Sequence, residues 1–285
     1  MTGAVRYEIE HISRYWYESP VQQCVMLLCL EPRQDRGQRI LDFAIETQPP
    51  ANLNRETDCF GNTRHLLDLH QRHQTLEITT HSTVEVAYAP PLPARLHTGA
   101  WEKIRSRRES CADWDFTHPS ALVRPSPALA AFVARHRIEP RDDPLESLMQ
   151  LSHTLHDCLQ YIPGSTTAES PVEHILATDQ GVCQDYAHLM MAIARSWGIP
   201  TRYVSGYLHP DEQTLSNATH AWVECRLPEL GWVGFDPTNQ SFAGEGGKVH
   251  IAVGRDYHDV SPTRGVLQGG GAIHLEVVVR TRSYR

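Results

Sequence analysis

The chain has 285 residues, enough for one large or two modest domains, each able to bury a core without disulfide staples. With 26 Lys and Arg against 34 Asp and Glu, a net charge of −8, and 40% hydrophobic residues, it has the profile of an ordinary globular protein rather than a nucleic-acid binder. The longest apolar run, Val25 to Leu30, is far too short to span a bilayer and reads as a buried strand.

Residues 1 to about 90 follow a period of two. Val5, Tyr7 and Ile9 alternate with Arg6, Glu8 and Glu10, and Leu41 to Ile45 and Leu76 to Val86 repeat the pattern, so this half is β. Asp58-Cys59-Phe60-Gly61-Asn62 is a turn between two strands, with Gly61 and Asn62 suited to positive φ. Met1 to Tyr17 carries no basic segment followed by an apolar one, so no secretory signal is read and the cytoplasm is the expected compartment. Seven cysteines without a Cys-x-x-Cys pair point to reduced thiols, which makes the triplets Asn217-Ala218-Thr219 and Asn239-Gln240-Ser241 accidental matches to a glycosylation signal. Pro90, Pro91 and Pro93 end the strand pattern, and the Arg-rich stretch to about residue 120 reads as a connection. The expected division is therefore an N-terminal antiparallel β-domain at 1–115 and a second domain at 116–285.

Three helix starts follow, each a capping residue before a proline: Ser126-Pro127, Asp143-Pro144 and Ser170-Pro171, the last two with Glu146 and Glu173 positioned for a capping box. The Pro144 helix places Leu145, Leu148, Met149, Leu155, Cys158 and Leu159 along one stripe. A helix over 183–197 carries Tyr186, Leu189, Met190, Ile193 and Trp197 at spacings of three and four and stops at Gly198. Period two then returns at Tyr203 to Leu208, Ala218 to Leu227, Gly231 to Phe235 and Ala272 to Arg280, with Gly269 to Gly271 as a flexible link. Helices first and an antiparallel sheet after them make the second half α+β.

The chemistry concentrates in Gly181-Val182-Cys183-Gln184-Asp185-Tyr186-Ala187-His188. Cys183 falls at a helix N-terminus, where free backbone N–H groups and the helix dipole stabilise an anion and an oxyanion alike. A thiolate needs a histidine to hold the ion pair and protonate the leaving group, and a third group to orient that histidine. His220, in His220-Ala221-Trp222-Val223-Glu224, supplies the first on a strand. The turn at Pro228 to Gly231 folds the next strand back, which brings Asp236 close to His220 within a slip of a few residues. Trp222 and Trp232 read as hairpin packing. His153, His156 and Cys158 lie close enough together to raise a zinc site, but they lack a fourth ligand and the histidines fall on the polar side of their helix, so no metal is read. No dinucleotide or P-loop glycine pattern occurs.

Gly181 to His188, His220 to Glu224 and Gly231-Trp232-Val233-Gly234-Phe235-Asp236-Pro237-Thr238-Asn239 closely resemble, in order, the three catalytic motifs of the bacterial transglutaminase-like superfamily. Leu159 to Thr166 and Gly254 to Pro262 resemble segments of the bacterial subgroup with an N-terminal β-domain. The resemblance implies a papain-like transglutaminase core, helices packed on an antiparallel sheet, preceded by that β-domain, with a C-terminal strand segment returning to one of the sheets. It implies Cys183 as nucleophile, His220 as general base and acid, and Asp236 as the residue orienting His220, with Tyr161 and Gln184 supporting the oxyanion. His188 and His258 are within possible reach of the cleft, and Asp256 and Asp259 either cap loops or bind Arg255. The reaction it implies is attack on a peptide, isopeptide or Gln/Asn side-chain amide through a thioester, resolved by water or by an amine. Hydrolysis is the expected outcome over cross-linking, without cofactor, metal or calcium, on a peptide or protein substrate and with no nucleic-acid or membrane partner. The alternative is a non-catalytic peptide-binding module on the same fold.

Overall fold

A computed structural model describes residues 3–35, 37–108, 110–167, 170–208, 219–242 and 247–284. Met1, Asn217 and Ala218, which entered the sequence reading, lie outside the described residues. The first five strands are β1 (Ala4–Leu28), β2 (Gln38–Gln48), β3 (Asn52–Thr57), β4 (Thr63–Leu69) and β5 (His73–Ala87). The 58–62 turn joins β3 to β4 as expected, with Gly61 alone taking positive φ, at 76°. The 90–120 stretch is not a plain connection: it holds α1 (Ala100–Arg107) and α2 (Trp114–Thr117). Only Ala100 and Ile104 of α1 are buried, too few to leave a helical stripe in the sequence.

Next come α3 (Pro127–Arg135), α4 (Pro144–Cys158), β6 (Gln160–Tyr161), α5 (Val172–Thr178), β7 (Gln180–Gly181) and α6 (Cys183–Ser196). Ser126 and Asp143 cap α3 and α4 as expected. The Glu146 side chain bonds Arg141 rather than closing a capping box. Helix α5 starts one residue late, at Val172, because the Ser170 hydroxyl instead accepts the Thr167 N–H at 2.8 Å. Then follow β8 (Thr201–Leu208), β9 (His220–Leu227), β10 (Gly231–Asp236), β11 (Ser241–Phe242), β12 (Lys248–Gly254), α7 (Tyr257–Val260), β13 (Thr263–Gly269) and β14 (Ile273–Tyr284).

Two main sheets result. The seven-stranded sheet runs β2-β5-β1-β4-β3, and β13 and β14 join it on β1. The first half of β1 lies between β5 and β14, the second half between β4 and β13, and the register shifts between Trp16 and Val21 where the neighbours change. Gly269, Gly270 and Gly271 form an ordered left-handed turn between β13 and β14, with φ of 93°, 92° and 64°, rather than a loose link. A Cβ on Gly269 would meet the Pro20 carbonyl at 2.7 Å.

The second sheet runs β11-β10-β9-β8-β12. Helix α6 is buried almost all round, from Gln184 to Arg195, and packs on the Ala221, Val223 and Cys225 face of β9 together with α4 and α5. The opposite face holds Val204, Trp222 and Val253 and is covered by Phe60 from the 58–62 turn. Val5, Tyr7, Ile9, Cys29 and Val84 belong to the core around α6, whereas Tyr15, Tyr17, Val21, Leu28, Leu30, Leu67, Leu69, Leu76 and Ile78 belong to a separate core within the first sheet. No helix among the described residues is long and apolar enough to cross a membrane.

Candidate active site

Cys183 is the first residue of the central helix. Val182 before it is extended (φ −114°, ψ 177°), and its N–H donates to Asp185 Oδ2 at 2.8 Å, an oxygen that also accepts from the Thr166 hydroxyl at 2.5 Å. Burial pushes the Asp185 carboxyl up in pKa. Gly181 is required here, since a Cβ would come within 2.7 Å of Ile175 and 2.9 Å of Asp185. The backbone bonds of α6 begin with the Asp185 and Tyr186 N–H groups, both on the Val182 carbonyl, at 2.9 and 3.2 Å. The amides of Cys183 and Gln184 precede them, at the end of the helix where partial positive charge collects.

His220 opens β9 and Asp236 closes β10. Their register pairs Phe235 with Val223, which sets Asp236 opposite Trp222, two residues from the level of His220. The slip is small enough for His220 Nε2 to meet Asp236 Oδ2 at 2.9 Å. The Cys183 side chain is a further hydrogen-bonding partner of the ring. Burial disfavours a charged ring, but the hydrogen bonds and negative charge of Asp236 and Cys183 outweigh it and raise His220 to about 9. Burial likewise opposes the Asp236 charge, and His220, Lys248 and Asn239 together still hold that carboxyl below the usual range.

The structure thus brings together the three residues singled out from sequence. Tyr161, in β6, pairs with Gly181 in β7 and is 49% exposed. Burial and the charge of Cys183 raise its phenol pKa, and its pairing with Gly181 puts its backbone two residues from the level of Cys183. Gln184 is buried in the first turn of α6. His188 is enclosed: it accepts the Tyr257 N–H at 3.2 Å, packs on Tyr203, and burial lowers its pKa to about 3. Asp256 caps α7 by accepting the His258 N–H, while Asp259 pairs with Arg255. His153 packs edge-on against Phe242, and His156 bonds the Thr238 carbonyl at 3.0 Å.

Trp222 and Trp232 both pack but not on each other. Trp232 pairs with Arg226 across the hairpin and takes the Arg202 guanidinium over its face at 4.4 Å. Trp222 lies near-parallel to the His220 ring at 6.2 Å, with room made by Gly206 on β8.

Two contributors around Asp236 escaped the sequence reading. Asn239 Nδ2 donates to Asp236 Oδ2 at 3.0 Å, and Lys248 Nζ lies 3.4 Å from the same oxygen. Farther along this face, Glu224 is buried between Arg202 (2.6 Å) and His250 (3.0 Å), which together hold its carboxyl at about 2 against the cost of burial. The available signal was the alternation of Lys248, Val249, His250 and Ile251, which marks a strand entering the site.

Residues 132–237 match the family described as the Transglutaminase-like superfamily, and residues 7–85 match the Bacterial transglutaminase-like N-terminal region. An uncharacterized protein of Mycobacterium leprae is 33% identical over 279 residues, 96% of this chain and 97% of its own length. A protein-glutamine gamma-glutamyltransferase of Pseudomonas aeruginosa is 32% identical over 127 residues, 42% of this chain and 17% of that protein. A candidate cysteine protease from Cytophaga hutchinsonii superposes with a TM-score of 0.77 at 20% identity, covering 100% of this chain and 92% of the other. The fold class is the expected one, an N-terminal antiparallel sheet followed by a papain-like core, and the chain belongs to the transglutaminase-like superfamily.

Proposed function

We propose that the chain is a thiol-dependent acyl-transfer enzyme in which Cys183, His220 and Asp236 act as a catalytic triad on an amide carbonyl. The observation that carries this reading is the His220 ring, bonded to Asp236 Oδ2 at 2.9 Å with the Cys183 side chain as a further partner. A ring raised to about 9 stays protonated at neutral pH, as a partner of a thiolate must.

The Cys183 sulfur forms a bond to the carbonyl carbon, and the carbonyl electron pair moves onto oxygen, facing the amides of Cys183 and Gln184, with Tyr161 at the open side. Collapse expels the amine, which takes its proton from His220, and leaves a thioester. His220, now neutral, removes a proton from water as it attacks the thioester. The acid leaves, and the proton returns the pair to its starting state. We assign water ahead of an amine as acceptor, hence hydrolysis of a peptide, isopeptide or Gln/Asn amide ahead of cross-linking. The cytoplasm, where thiols stay reduced, suits this nucleophile and the six other free cysteines. The peptide-binding alternative needs a covered thiol, and Cys183 is half-buried rather than enclosed.

The test is the rate of iodoacetamide labelling of each cysteine against pH, by peptide mass spectrometry, in wild type and His220→Ala. Cys183 is expected to label fast at about pH 6 and to slow in the variant. Labelling no faster than the exposed Cys59 and Cys111 would end the enzyme reading. Incubation of peptide amides with and without a primary amine then separates hydrolysis from cross-linking.

A further inference from the structure

Strand β12 pairs with β8 on one side only, yet its other edge is not open. Two buried side-chain amides of the N-terminal sheet occupy it. Gln38 Nε2 donates to the His250 carbonyl at 2.7 Å, and Gln38 Oε1 accepts the His250 N–H at 2.9 Å. Asn62 does the same for Val253, with both bonds at 2.8 Å. Each amide gives one residue of β12 the donor and acceptor that a neighbouring strand would give. The Arg33 N–H adds a second bond to the His250 carbonyl at 3.0 Å.

The residue this clamp carries into the site is Lys248, two positions before His250. Its ammonium lies over the Trp222 ring, 5.7 Å from its centre, and 3.4 Å from Asp236 Oδ2, with the side chain 16% exposed. Asp236 is fully buried and already holds one cation, the His220 ring. A single carboxylate needs only one. A second cation on the same oxygen repels the first and stays when the first is discharged. That is the condition reached each time His220 gives its proton to a leaving group. Without Lys248, Asp236 would then be a buried charge with no cation, and His220 would hold its proton too firmly to deliver it.

We infer that Lys248 is a positioning residue that holds Asp236 charged through both protonation states of His220, delivered by an edge strand that Gln38 and Asn62 of the N-terminal sheet clamp in place. The inference rests on the triad reading. The other groups facing His220 and Asp236 are Cys183 from α6, Tyr161 from β6, Asn239 from the turn after β10, and His156 from α4 through the Thr238 carbonyl. The Glu224 and His250 pair lies farther along the same face and is neutralised by Arg202.

The test is the pH titration of the His220 ring, followed by NMR in the full chain labelled with [15N]histidine and assigned by loss of the signal in His220→Gln. Lys248→Met should move the titration upward by about one pH unit, Lys248→Arg should restore it, and the alkaline limb of Cys183 labelling should move in step. If Lys248→Met does not fold, Lys248→Gln decides on the same criterion. A titration unmoved or moved downward in a folded variant overturns the inference and leaves Lys248 as packing on Trp222. The ring titration needs no turnover, so it is separate from the triad reading, which fails if His220→Ala leaves wild-type labelling of Cys183 unchanged.

Discussion

The two sheets are both antiparallel, but they place charge in opposite ways. On the seven-stranded sheet, ion pairs such as Arg14 with Glu77, Arg39 with Glu85 and Arg280 with Glu10 sit on the outside, where each contributes little. Beneath them Tyr15, Leu28, Leu67, Leu76 and Ile78 make an apolar core. On the five-stranded sheet, His220, Asp236 and Lys248, then Arg202, Glu224 and His250, are sunk into one face. Burying ions costs more than an apolar filling of the same volume, so stability does not explain them. One architecture serves as scaffold where most of its ion pairs are wet, Glu31 beside His65 being a buried exception, and as a reactive surface where they are dry and paired.

The comparison is broken most severely on the reactive side. His220→Ala should slow formation of the Cys183 thioester by about a thousandfold or more in single-turnover mass spectrometry, while unfolding stays cooperative. On the scaffold side the effect should reverse. Leu67, fully buried, should lose about 2–5 kcal/mol on substitution by Ala, measured by urea unfolding, with Cys183 labelling in the folded protein unchanged. A changed labelling rate would show that the two sheets are not separable.

Gln38→Ala sharpens the comparison because it sits between the two. It should cost about 1–3 kcal/mol for the orphaned His250 N–H and, unlike Leu67→Ala, raise the His220 titration as β12 loosens. The smallest effect is a slope. His11, hydrogen-bonded to Tyr207 between the sheets, is lowered to about 4 by burial, and His188 to about 3. Both stay neutral in the fold while the unfolded chain takes up protons below about 6.5, so stability should fall with pH from there, by up to about 1.4 kcal/mol per unit per histidine. His220 has the opposite sign: its contribution is complete below about 6.5 and is lost as pH rises through about 9. His11→Gln should flatten the acid slope of urea-derived stability.

What was legible in the sequence was local. Cys183 before an amphipathic helix, and His220 and Asp236 on either side of one tight turn, are set by neighbours along the chain, and a short hairpin fixes register closely enough to bring the last two together. The Gln38 and Asn62 clamps join residues 212 and 191 positions apart through side-chain amides, and no periodicity records such a contact. Lys248 was hidden for a related reason. Its strand changes register between His250 and Ala252, which ends the alternation after four residues. Helix α1 was hidden by having only two buried positions.

The pairing of Arg6 to Tyr17 in β1 with Ile273 to Tyr284 in β14 has a consequence for the order of events during synthesis. Residues 1–115 hold five of the seven strands of the first sheet, and the other two leave the ribosome after the whole of the second. Strand β1 therefore waits for β14, made after the second sheet, with one long edge unpaired until then. The helices around α6 and the β8–β12 sheet can assemble in that interval, so the reactive half of the molecule is positioned to fold before the scaffold that steadies it.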